Sequence, residues 1–236
     1  MHVCLDLDET LIHVSEHPVP GAHFYFKIHH TTYYVQKRPG LAAFLAHLFK
    51  TCESVSIWTA ATHEYADQII KHIMTGKQRA LLKFLFTRTN IQHARDGTYS
   101  KPLRKLFHMK EAQVLGLTRR NTLMIDDRED MFKANKGNGL LLPPYIGQPD
   151  DNYLLYAAQA VNLLSRADLR PAKRPHILLE LMQGARDVNA RTTTKAPGKR
   201  PLPAIRNTGQ GQGVKPGKPD PLGTRRRRTT KTKAKA

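Results

Sequence analysis

Cysteine is nearly absent from this 236-residue chain, which has only Cys4 and Cys52. Two thiols make no disulfide framework, so stability must come from a packed core, and a reducing, intracellular setting is the default expectation. Long apolar runs are missing too. None approaches the ~20 residues that a membrane-spanning helix needs, so no membrane partner is expected. The opening Met-His-Val-Cys-Leu-Asp does not read as a signal peptide, because acids fall where its apolar core should lie. Acidic residues are also scarce, 19 against 38 Lys and Arg, for a net charge of +19. The imbalance is local. Residues 1–170 hold 21 basic and 16 acidic side chains, whereas residues 171–236 hold 17 and 3.

What is present starts with Val3-Cys4-Leu5, an apolar run that delivers Asp6, Asp8 and then Thr10. Such a run reads as a short strand buried on both faces, as in the centre of a parallel sheet. Carboxylates there are costly unless paired, hydrogen-bonded or bound to a cation. Acids at i and i+2 point the same way from extended backbone. At the carboxyl end of a strand they occupy the place where open α/β sheets bind ligands. One hard cation plus one nucleophile would suit that geometry; an acidic turn after a strand is the alternative.

Further along, residues 23–29 and 32–37 are rich in aromatic and β-branched side chains, which predicts a hairpin. The five histidines between positions 13 and 30 match no zinc spacing and read as solvated or aromatic-packed. Pro39 suits a helix start, and Leu41, Phe44, Leu45 and Leu48 follow at helical spacing. Ser54–Trp58 reads as a strand ending at Thr59-Ala60-Ala61, with a helix from near Thr62 aiming its positive end at the same place. Thr59 taken alone reads equally as a cap. Another strand is expected over 81–87, then an irregular polar run over 88–99. Lys101 precedes Pro102, which holds it extended and opens the next helix; alone, it would read as a surface lysine. Residues 121–125 form an apolar strand ending in Asp126-Asp127. A helix N-terminus explains Glu129 and Asp130 well, but not two adjacent acids closing a buried strand.

A last strand is expected over 139–142, closed by Pro143-Pro144. Leu154, Leu155, Ala158, Val161 and Leu164 describe an amphipathic helix covering the sheet, and residues 177–183 one more short helix. From about Asn189 the chain is rich in Thr, Lys, Arg, Gly and Pro and cannot bury enough apolar surface to offset its ordering entropy. The Arg225–Arg228 run reads as a nuclear localisation signal, a phosphate-driven nucleic-acid patch, or a solubilising tail.

The stretch Asp-Leu-Asp-Glu-Thr-Leu-Ile-His at 6–13 resembles motif I of the haloacid dehalogenase superfamily. More narrowly, it resembles the branch of RNA polymerase II C-terminal-domain phosphatases and NLI-interacting-factor-like proteins. Lys37-Arg38-Pro39-Gly40, Thr59-Ala60-Ala61 with Tyr65-Ala66-Asp67, Lys101, and Asp126-Asp127-Arg128 are similar to that branch in the same order, so the resemblance covers roughly residues 3–166. The chain departs from it at Pro102, where Lys-Asp-Leu is usual, which leaves the substrate-side contacts of that loop unassigned.

The resemblance implies an α/β fold: a Rossmann-like parallel sheet of the haloacid dehalogenase type with a small β-hairpin insertion, to which composition adds a disordered basic C-terminal tail. It divides the chain into a phosphatase domain over 1–170, a short helix or linker over 171–188, and the tail over 189–236. It also implies a Mg2+-dependent protein serine/threonine phosphatase working through an aspartyl-phosphate, with the RNA polymerase II C-terminal domain as one candidate substrate. Asp6 is then the nucleophile and Asp8 the acid and base. Thr10, Thr59, Ala60 and Lys101 bind phosphate. Asp6, the Asp8 backbone, Asp127 and Asp126 hold the metal, with the roles of Asp126 and Asp127 open to exchange. The expected partners are a phosphoprotein and, through the tail, nucleic acid or an acidic protein; a monomer and a nuclear location follow. A nucleic-acid-end phosphatase and a non-catalytic scaffold are the competing readings.

Overall fold

The computed structural model describes residues 1–93, 99–166, 177 and 180–184. The expected basic tail lies outside them. Of the short helix expected over 177–183, Ile177 and residues 180–184 are described, and these are helical.

Five parallel strands form the central sheet: β1 (His2–Leu5), β5 (Ser54–Trp58), β6 (Leu85–Phe86), β9 (Thr122–Asp126) and β10 (Gly139–Leu141), in the order β10-β9-β1-β5-β6. Side-chain alternation sorts them between two layers. Val3, Leu5, Val55, Ile57, Leu123 and Ile125 enter one apolar cluster. Cys4, Trp58, Phe86 and Met124 enter the other. Both faces are therefore covered, which is why these strands are short continuous apolar runs. Helices α1 (Leu41–Thr51), α2 (His63–Ile73) and α6 (Tyr153–Arg166) fill the first layer, while α4 (Leu103–Phe107) and α5 (Lys110–Val114) fill the second. Gly40 opens α1 at φ 78°, a left-handed conformation in which a Cβ is strained. Among the described residues no helix is long and apolar enough to cross a membrane.

A second, antiparallel sheet is inserted between β1 and α1. It comprises β2 (Ile12–Ser15), β3 (Phe24–Ile28) and β4 (Thr31–Lys37), with β4 in the centre. The hairpin is where the aromatic pattern predicts it, Tyr25 facing Tyr34 and Phe26 facing Tyr33. β2 is an additional strand that begins within the motif I stretch.

Two expectations are corrected. In place of a strand over 81–87, helix α3 (Gly76–Leu81) takes Leu81, and only Leu85–Phe86 pair with β5. A capping box between Thr75 and Gln78 starts that helix, a short-range signal that outweighs a brief apolar run. In α6 the buried residues are Leu154, Tyr156, Ala157, Ala160, Val161 and Leu164; of the expected stripe Leu155 alone is exposed, at 58%. The helix lies against α1, where His47 meets Asn162 at 3.0 Å. Between α3 and α4, a short 3-10 turn over Arg88–Asn90 precedes the two-residue strands β7 (Gln92–His93) and β8 (Tyr99–Ser100), which pair antiparallel.

Candidate active site

The site is built at the carboxyl ends of β1, β5 and β9. Leu5 pairs with both Ile57 and Ile125, so the residues that follow each strand emerge side by side. Asp6 remains tied to β9 through its amide, which donates to the Ile125 carbonyl at 3.0 Å. The chain then turns. β1 ends at Leu5, Glu9 adopts φ 54°, and the Leu11 and Ile12 amides both return to the Leu7 carbonyl. Asp8 therefore lies in a tight loop beyond the strand, and strand alternation does not set the direction of its side chain.

Lys101 is the centre of the cluster. Its Nζ donates to Asp6 Oδ1 at 2.5 Å and to Asp126 Oδ2 at 2.7 Å, and the lysine is 1% exposed. Pro102 has no N–H, and the backbone groups flanking it are held by one side chain: Asn135 donates to the Lys101 carbonyl and accepts from the Leu103 amide. The Lys101 amide is bonded to the Met131 carbonyl at 2.7 Å. The lysine thus reaches the acids from a backbone fixed on both sides, and α4 opens directly after Pro102 as expected.

Asp126 has both oxygens engaged, one by Lys101 and the other by the Arg128 amide at 2.9 Å. Asp127 is held by Thr10, whose hydroxyl donates to Asp127 Oδ1 at 3.1 Å and accepts from the Asp127 amide at 3.0 Å. The Thr10 hydroxyl, expected to bind phosphate, is fully buried and engaged by Asp127. Asp8 accepts a 2.6 Å hydrogen bond from the Tyr65 hydroxyl. Thr59 is buried, its amide bonded to the Phe86 carbonyl and its hydroxyl accepting from the Ala61 amide at 3.1 Å. Ala60 is exposed and its carbonyl accepts from Arg88 Nε at 3.2 Å. Helix α2 begins just beyond, capped by Thr62.

Oxygen atoms of Asp6, Asp126 and Asp127 lie within 4.8 Å of one another; the Asp8 side chain is not in this group. Three carboxylates around one buried ammonium leave an excess of negative charge. Burial, reinforced by Asp126 and Asp8, holds the Asp6 carboxyl well above the ordinary range even though Lys101 pulls the other way. Burial and the Asp126 charge also raise Asp127. Burial alone would lower the Lys101 pKa, but Asp6 and Asp126 outweigh it and leave the lysine firmly charged. Asp8 is pushed up to about 6 by burial, against the Tyr65 hydrogen bond. A hard divalent cation, which takes oxygen ligands, fits such an unbalanced set.

Three residues that the sequence reading assigned no role in the site prove to support it: Tyr65, Asn135 and Arg38. Arg38 is buried and spans three segments. It pairs with both oxygens of Asp151 at 2.8 Å and donates to the carbonyls of Thr10 and Pro143 at 2.9 and 2.8 Å. It thereby pins the loop that follows Asp8. The signal available in the sequence was the position of Arg38 and Tyr65 inside motif-like stretches.

This parallel sheet, with an antiparallel insertion after its first strand and an acid–lysine cluster at its carboxyl end, is that of the haloacid dehalogenase superfamily. Within it the chain belongs to the NLI interacting factor-like phosphatase family, whose model matches residues 1–170. It is 28% identical over 177 residues to CTD small phosphatase-like protein 2 of Dictyostelium discoideum, a match covering 73% of this chain and 28% of that protein. It is 29% identical over 171 residues to human carboxy-terminal domain RNA polymerase II polypeptide A small phosphatase 1, covering 70% of this chain and 60% of the relative. The chain thus spans less than two thirds of either. Among solved structures it is similar to Fcp1, an essential RNA polymerase II CTD phosphatase, with 22% identity, a TM-score of 0.46, and coverage of 84% and 55% of the two chains.

Proposed function

We propose that this protein is a Mg2+-dependent phosphatase of phosphoserine and phosphothreonine in protein segments, acting through an aspartyl-phosphate on Asp6. The observation that carries the reading is the buried Lys101 bridging Asp6 and Asp126, with Asp127 completing an acidic set that one ammonium does not neutralise. Asp6 and Asp127 would hold the ion, with the Asp8 backbone carbonyl beside them; Asp126, with both oxygens engaged, orients Lys101. When bound, the ion supplies charge for the phosphoryl oxygens and keeps the Asp6 carboxylate ionised.

The chain's own residues then divide the work. Asp6 attacks phosphorus as the nucleophile. Asp8, whose pKa is pushed up to about 6, retains a useful protonated fraction near neutral pH and gives its proton to the departing seryl oxygen. The resulting Asp8 carboxylate removes a proton from the water that hydrolyses the aspartyl-phosphate. Lys101 balances charge on the phosphoryl oxygens. The Thr59 hydroxyl and the Ala60 amide, beside the N-terminus of α2, bind the same group.

The insertion between β1 and α1 is only the small β2–β4 sheet, and an open site of that kind suits an extended phosphopeptide. The polymerase II C-terminal domain is one such substrate, and a nuclear location would follow. The excess of 17 basic over 3 acidic residues in 171–236 favours a second binding function, a salt-sensitive attraction to nucleic acid or an acidic partner. The catalytic reading is tested by hydrolysis of a phosphoserine peptide in Mg2+ and in EDTA by wild type and Asp6→Asn. Activity confined to wild type with Mg2+ is expected; equal activity of the two proteins would sink the mechanism.

A further inference from the structure

Tyr65 meets three parts of the molecule at once. It sits in the first turn of α2, where its amide donates to the capping Thr62 hydroxyl. Its ring is held edge-on by Phe26 and Tyr33 of the inserted sheet, with centroids 5.6 and 5.3 Å away and interplanar angles of 69° and 88°. Its hydroxyl reaches Asp8 Oδ1 at 2.6 Å. An edge-on ring between two aromatic neighbours has little freedom to swing, so the hydroxyl is presented from a fixed point. Burial, then the Asp8 charge, drives the phenol pKa above its ordinary value, and the group remains a donor throughout the neutral range.

From this geometry we propose that Tyr65 is the positioning residue for the Asp8 carboxyl, fixing which of its oxygens carries the transferable proton. The inference rests on the phosphatase reading and deepens it. The carbonyl oxygen of a carboxyl is its better acceptor, so a Tyr65 donor at Oδ1 favours the proton on Oδ2. In the first half-reaction an Asp6 oxygen bonds to phosphorus, the bond between phosphorus and the seryl oxygen breaks, and the Oδ2 proton passes to that oxygen. In the second half-reaction Oδ2 takes a proton from water as the water oxygen bonds to phosphorus. The bond from the Asp6 oxygen to phosphorus then breaks, releasing phosphate and the free carboxylate. Without the tyrosine hydroxyl the carboxyl can rotate, and the proton is shared between two directions of which one is productive.

Tyr65→Phe tests this, since it keeps the ring and its packing and removes only the donor. The readout is single-turnover release of the leaving group from a phosphoserine peptide and from p-nitrophenyl phosphate. A seryl alkoxide needs a proton to leave, whereas p-nitrophenolate leaves without one. The expected result is a split: peptide cleavage slows roughly 10- to 100-fold, part of the 10²–10⁴ that a general acid supplies, while p-nitrophenolate release changes less than about threefold. Substrate half-saturation is unchanged for both. A merely structural role would lower both rates together. An equal fall on the two substrates, or an unchanged rate on the peptide, overturns the inference while an inactive Asp6→Asn leaves the phosphatase reading standing. Full activity in Asp6→Asn overturns that reading and this one with it.

Discussion

Replacing Arg38 with methionine should be the most damaging single change outside the acidic cluster. The side chain is fully buried and pairs with both oxygens of Asp151, itself 4% exposed. It also satisfies the Thr10 and Pro143 carbonyls and lies 5.6 Å from the centroids of Tyr145 and Tyr153. Methionine fills similar length but donates nothing. Removing one partner of a buried ion pair costs about 3–5 kcal/mol, because the other charge is stranded away from water. Urea unfolding reads this directly: with a slope of about 2 kcal/mol/M, the midpoint should fall by roughly 1.5–2.5 M.

Combining Arg38→Met with Asp151→Asn should give less than the sum of the two single effects, with a coupling of about 1–3 kcal/mol. Recovery should be incomplete, because two buried carbonyls remain unsatisfied at ~1–3 kcal/mol each. A loss below about 1 kcal/mol for Arg38→Met, or strict additivity in the double variant, would refute the view of Arg38 as the tie between the motif I loop, β10 and α6.

Two further outcomes follow from the packing. His2 is buried beside Ser54 and its pKa is lowered from 6.5, chiefly by burial, against a smaller pull from Glu53. The unfolded chain therefore binds the proton more readily, so this contribution is complete above pH 6.5 and is lost as pH falls from there toward the folded value. Urea midpoints at pH 7.5 and 5.5 should fall more in wild type than in His2→Gln; equal falls would count against it. At Gly139 a Cβ would come within 2.6 Å of three ring atoms of the buried Phe132. Gly139→Ala should accordingly cost about 1–3 kcal/mol in thermal or urea unfolding through overpacking, and a neutral result would contradict the tight β10 contact.

The elements that were legible in the sequence are those carrying a local period. The apolar runs of β1, β5 and β9, the 3.6-residue stripe of α1 and the aromatic hairpin of β3 and β4 all fall where pattern puts them. Lys101 could be placed because Pro102 marks a helix start immediately after it. What escaped depends on partners far away in sequence. Arg38 finds Asp151 113 positions on, Thr10 finds Asp127 117 positions on, and Tyr65 finds Asp8 57 positions back. No period announces such pairs, since they are products of the strand order. The face of α6 was missed for a related reason. Leucines mark a stripe by hydrophobicity, but Leu155 is exposed while Ala157 and Ala160, weak markers of a core face, are fully buried. The start of α3 was readable after all, in the Thr75–Gln78 capping box.

The central claim is that Asp6 becomes covalently phosphorylated. The direct measurement is to quench the enzyme in acid during turnover of a phosphoserine peptide with Mg2+, reduce the acyl phosphate with borohydride, and locate the modified residue by peptide mass mapping. The account predicts homoserine at position 6, absent when substrate is omitted and absent from Asp6→Asn. Turnover with an unmodified Asp6, or with the modification on another residue, would contradict it.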